Sequence, residues 1–156
     1  MCAQKRSFVM KTVLKISALV AVLLVAFSMV GCKNDSATTT AVFTGSDSGL
    51  TITLSCYTDN TWKVHASGTV QGLSGNITCN YDDSTGTYTG NPAQDGECTV
   101  TVLKTVNDNT LLGLLFTATS ITNENAPLET VENPTPETIN IVNGSFTFDS
   151  VTFTRQ

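Results

Sequence analysis

Two neighbouring stretches of the chain set the terms for its fold. In Leu50-Thr51-Ile52-Thr53-Leu54-Ser55-Cys56 the even-numbered positions are apolar, and in Trp62-Lys63-Val64-His65-Ala66-Ser67 they are apolar again. Such alternation places successive side chains on opposite faces of a strand, and residues directly opposed in an antiparallel pair share a face. The two arms match only across a loop of odd length. Thr58-Asp59-Asn60 supplies one, with Asn60 in the left-handed conformation that Asn tolerates. The expected pairs are Cys56 with Trp62, Leu54 with Val64 and Ile52 with Ala66.

The same reasoning extends along the chain. Asn107-Asp108-Asn109 as a loop would pair Val102 with Leu114 and Val100 with Phe116. Asn143-Gly144 is a strong type I′ hairpin signal and would pair Ile141 with Phe146 and Ile139 with Phe148. A bulge at Asp149-Ser150 would bring Val151 and Phe153 back to the apolar face. A loop over Asp82–Thr85 would set Cys79 against Tyr88. Leu111–Phe116, apolar at both parities, reads as a strand buried on both faces. No segment after Cys32 shows a helical period. The expectation is an all-β domain of about eight strands: a small antiparallel up-and-down β-barrel or a β-sandwich, following an N-terminal signal helix. The barrel is favoured because closure removes exposed edges.

Residues 1–31 are a different object. Their charges, Lys5, Arg6, Lys11 and Lys15, are all positive, and Ile16–Val30 carries none. A basic segment followed by a short apolar run has the form of an export signal, and the run falls short of the ~20 residues that span a bilayer. Its end, Met29-Val30-Gly31-Cys32, resembles the lipobox of bacterial lipoproteins, with Met29 where Leu is usual. The resemblance implies cleavage after Gly31 and lipid attachment at Cys32. The covalent lipid would be the one prosthetic group, with no other cofactor. Two or more acyl chains anchor stably where one does not. Residues 32–40 then form a flexible tether and 41–156 the β domain, held at the outer membrane or cell surface. The phrases GTYTGNPAQDG and NGSFTFDSVTFTRQ resemble short β-rich lipoproteins of host-associated spirochaetes, some of them lipocalin-like.

Without residues 1–31, thirteen acidic residues face four basic ones, a net charge of −9. That balance excludes a nucleic-acid partner, which needs a basic surface. Few side chains offer chemistry. His65 is the sole histidine and falls on the polar face of its strand, an unsuitable place for an oriented catalytic base. One histidine and the absence of CxxC spacing argue against a metal site. Cys56, Cys79 and Cys98 fall on the inward face; they are candidates for one disulfide plus a buried thiol, or for three buried thiols. Asp59, Asp82, Asp83, Asp95, Glu97 and Asp108 read as turn residues. Ser120–Thr138, without alternation, reads as a lid, a partner-binding loop or a disordered segment.

No catalytic residues are assigned. The functional expectation is a non-enzymatic, lipid-anchored binding or interaction module of the cell envelope, whose partners are the membrane and a protein or small apolar ligand. The alternatives are a lipocalin-like carrier of a small apolar ligand and an envelope enzyme or enzyme inhibitor.

Overall fold

The computed structural model describes residues 37–148 and 150–156. Residues 1–36, which include the expected signal segment, Cys32 and the first residues of the expected tether, lie outside the described residues. The strands are β1 (Thr39–Asp47), β2 (Leu50–Tyr57), β3 (Thr61–Gln71), β4 (Asn76–Thr89), β5 (Gly96–Val106), β6 (Ser120–Thr122), β7 (Leu128–Thr130), β8 (Pro136–Ile141), β9 (Ser145–Phe148) and β10 (Val151–Arg155), with one helix, α1 (Asp108–Thr117), between β5 and β6. All ten belong to one mostly antiparallel sheet, ordered β7-β5-β4-β3-β2-β1-β10-β9, with β6 beside β4 and β8 beside β5. Strand β1 begins at Thr39, so Thr39 and Thr40, expected in the tether, are part of the sheet.

The first hairpin has the expected register: Cys56–Trp62, Leu54–Val64 and Ile52–Ala66 are opposed, and Asn60 has φ 62°. An earlier hairpin joins β1 to β2 through Ser48-Gly49, both at positive φ, as a two-residue turn between Asp47 and Leu50 requires.

Other pairings differ from expectation. Residues 76–89 are one long strand with no loop at Asp82–Thr85, and Cys79 lies opposite Gly68. The Leu-rich run is helix α1 and no strand. Asn107 caps it, its side chain accepting the Asn109 N–H at 2.9 Å, and Asp108 sits favourably in the first turn. A run apolar at both parities fits a helix as well as a buried strand, and here the cap decides. Residues 120–138 are ordered rather than free loop: β6 runs parallel to β4, β7 and β8 share the outer edge of β5, and Ile121 and Ala126 are buried.

The sheet does not close into the favoured barrel. Asn143 and Gly144, at φ 51° and 71°, make the expected turn, but β8 and β9 meet only at the bridge Val142–Ser145. Beyond it they diverge. Ile139 and Ile141 pair with Cys98 and Gly96 of β5, and Phe146 and Phe148 pair with Phe153 and Val151 of β10. Val151 directly opposes Phe148, so a reversal, and no bulge, separates β9 from β10. The result is a strongly curved sheet with a seam between β8 and β9.

Its inner face is the core. Phe43 is fully buried, with Phe146 edge-on at 5.2 Å, and Phe146 stacks on Phe153 at 5.1 Å. Trp62 lies across Gly86, where a Cβ would come within 2.8 Å of the indole ring. Side-chain clasps hold the ends of the strands. Asp95 accepts the amide protons of Asn143 and Gly144, and the Arg155 guanidinium reaches both Asp95 and the Pro92 carbonyl.

Candidate functional site

Within the curved sheet lies a cavity of about 100 Å³, lined from β2 to β5 by Ile52, Leu54, Trp62, Val64, Val100 and Val102 and completed by β8, β9 and β10. Phe146, Phe148 and Phe153 add three phenyl rings to the Trp62 indole. The wall is hydrocarbon except at Asp83 and Ser84.

Those two side chains point inward because strand β4 is bulged. Val64 opposes Ser84 while His65 opposes Asp82, so Asp83 is an extra residue with no partner of its own on β3. Inserting one residue shifts the two-residue alternation. Before the bulge Ile77, Cys79 and Tyr81 are buried; after it Ser84, Gly86 and Tyr88 are. At the junction both Asp83, 5% exposed, and Ser84, 9% exposed, face the interior. A second bulge, at Leu103 of β5, lies beside this one.

The Asp83 carboxyl accepts one hydrogen bond, from the Ser84 hydroxyl to Oδ2 at 3.3 Å. Oδ1 has no partner among the described residues. Burial pushes the carboxyl up to about 6, against the pull of the Ser84 bond, and the charge of Asp108 adds to the rise. Tyr81, two residues earlier on the same face, is also shifted upward, first by burial and then by the charge of Asp83.

The remaining candidates lie elsewhere. His65 is on the outer face, its Nδ1 3.0 Å from Asp82 Oδ1 and its Nε2 3.0 Å from Asn80 Oδ1. Lys63 Nζ reaches Asp82 Oδ2 at 3.4 Å, and Asn123 accepts the Asp82 N–H at 2.6 Å while its own amide approaches Asp82 Oδ2 at 3.3 Å. Partial burial works against ionisation of Asp82, but the His65 and Lys63 contacts outweigh it and hold the carboxyl low. Asn123 supplies an acceptor where β4 passes from its pairing with β6 to its pairing with β5. No hydroxyl or thiol among the described residues is hydrogen-bonded to His65.

Cys56, Cys79 and Cys98 are all free and buried. Burial raises each thiol, Cys56 to about 12 with Cys98 adding to the shift. Such thiols are poor nucleophiles. Asp59 is a turn residue, accepting from the Thr61 N–H and hydroxyl, and Asp95 clasps the Asn143-Gly144 turn. Asp82, Asp83 and Glu97 are strand residues, and Asp108 opens the helix. Among the described residues no cluster of metal-ligating side chains occurs, and no helix is long and apolar enough to cross a membrane.

Sequence reasoning placed Asp83 in a turn and so missed the carboxyl that, with Ser84, makes the polar part of the cavity wall. The signal was present: apolar parity is odd through Tyr81 and even at Tyr88, which in one continuous strand requires an inserted residue. Comparison with protein-family models, curated proteins and solved structures finds no match.

Proposed function

We propose that this chain is a lipid-anchored binding module of the bacterial cell envelope, without enzymatic activity, whose curved sheet carries a small, mainly apolar ligand in its interior. The observation that supports the carrier reading is the cavity itself, walled by aliphatic and aromatic side chains. Fully packed interiors leave few voids larger than a water molecule. A dry apolar cavity of ~150 Å³ accepts benzene, so one of about 100 Å³ suits a somewhat smaller body or part of a longer one. Ile139 and Phe148 line it from either side of the seam, and the entry route that fits this reading is the β8–β9 gap. The tether supports the envelope location: Cys32 stands seven residues before the first strand residue, Thr39.

Both parts are testable. Trp62 is the sole tryptophan and lines the cavity, so its fluorescence reports occupancy directly. Titration with small hydrocarbons and alcohols should give a saturable change in Trp62 emission, abolished by Val64→Phe, which fills the space. Failure of every such titration would overturn the carrier reading. For the anchor, radiolabelled fatty acid should mark the wild type and leave Cys32→Ala unlabelled; equal labelling of both would overturn it.

A further inference from the structure

The carrier reading leaves the chemistry of the ligand open, and the interior carboxyl narrows it. Resting on that reading, we propose that Asp83 and Ser84 anchor the protonated amino group of a small amphipathic amine, whose hydrocarbon part fills the apolar cavity.

Four observations carry this. First, Asp83 is almost wholly buried, yet no basic side chain among the described residues meets it: Lys63 is engaged by Asp82, Arg155 by Asp95, and Lys104 is exposed on β5. A buried carboxylate without a counter-charge is unfavourable, and a cationic ligand supplies one. Secondly, its hydrogen bonding is incomplete. The Ser84 bond at 3.3 Å is long for O–H···O, and Oδ1 accepts nothing from the described residues. An ammonium group carries three donors and no acceptor, which matches two carboxylate oxygens and a hydroxyl oxygen. Thirdly, four aromatic residues, Trp62, Phe146, Phe148 and Phe153, line the same cavity, and ring faces attract cations. Fourthly, residues 37–156 carry twelve acidic and three basic side chains, a field that draws cations and repels anions. An anionic ligand would meet the carboxylate head-on; a purely apolar one would leave it unpaired.

The carboxyl, raised to about 6, is ionised at neutral pH and becomes protonated on acidification, so selectivity for an amine is a property of the neutral range.

The test compares n-butylamine, n-butanol and n-pentanoate, which share a butyl body of four carbons, about the share of a benzene-sized volume that this cavity offers. Each is titrated into the purified full chain at neutral pH, with Trp62 emission as readout. Butylamine should bind about 10- to 100-fold more tightly than butanol, the span expected for a hydrogen bond to a buried charge, and pentanoate more weakly than either. In Asp83→Asn the amine-to-alcohol ratio should fall to about 1 while butanol binding persists, and Ser84→Ala should reduce the ratio partly. Equal binding of amine and alcohol by the wild type, or an undiminished ratio in Asp83→Asn, overturns the amine assignment and leaves the carrier reading standing. Absence of binding by all three overturns both.

Discussion

Replacing Asp83 by Asn should make the protein more stable at neutral pH, and the size of the effect follows from the carboxyl's surroundings. The native group is raised from the ordinary 3.8 to about 6, chiefly by burial. A difference of about 2 units corresponds to roughly 3 kcal/mol between the two protonation states. The sign follows from proton counting. Between pH 3.8 and 6 the folded chain holds the Asp83 proton while the unfolded chain has released it, so stability falls as pH rises. Below 3.8 the contribution is fully present; above 6 it is lost. Asn retains the shape and an oxygen for the Ser84 bond but cannot ionise. Asp82, Asp59 and Asp95 are shifted downward, so their contributions run the opposite way, lost as pH falls, and are common to both proteins. The difference between wild type and Asp83→Asn therefore isolates one group. Urea unfolding of both from pH 4 to pH 8 should show the variant gaining up to about 3 kcal/mol on the wild type across that range, on the order of 10 °C in Tm for a domain of this size. A difference between the two proteins that stays constant with pH would refute the assignment of Asp83 as a buried, unpaired carboxyl.

Further substitutions probe the framework. Gly86→Ala forces a Cβ against the Trp62 ring and the Thr101 carbonyl, and should destabilise by about 1–3 kcal/mol with a shift in Trp62 emission. Asn107→Ala removes the α1 cap and should cost about 1 kcal/mol in urea unfolding, a loss that Asn107→Asp largely avoids. Cys56, Cys79 and Cys98 should resist alkylation in the native protein near pH 8 and react fully in denaturant, read by peptide mass spectrometry; rapid native labelling of Cys56 would contradict its burial. Asp95→Ala should speed amide exchange at Asn143 and Gly144, the two N–H groups it accepts, while exchange in β2 and β3 is unchanged.

Legibility in the sequence followed how local the deciding interaction is. The β2–β3 hairpin was readable to the residue because one odd loop and one alternation fix it. Asn143-Gly144 announced its turn, yet the strands it joins go to different partners. Ile139 finds Cys98, far back in the chain, and no local pattern reports that competition. Asn107-Asp108-Asn109 is as good a helix start as a hairpin loop, and the Leu run after it is apolar at every parity, so period alone was ambiguous there. Asp82-Asp83 is turn-like in composition; that it sits within a strand depends on the match of residues 61–71 to 76–89 across the whole of both. The candidate site was hidden for the same reason: an acidic residue is read as exposed unless the bulge that turns it inward is seen first.

The pairing of β1 with β10 also bears on how the chain folds. Phe43 sits opposite Arg155, and Gln156 donates its N–H to the Val42 carbonyl, so β1 is completed by a strand far along the chain. The β1–β4 meander can assemble from near neighbours, whereas docking β10 closes a loop of over a hundred residues and forms late. Until then the β1 edge is unpaired and the Phe43 ring lacks its cover. Removing the final five residues should leave a collapsed, slowly aggregating species rather than a slightly weakened native one.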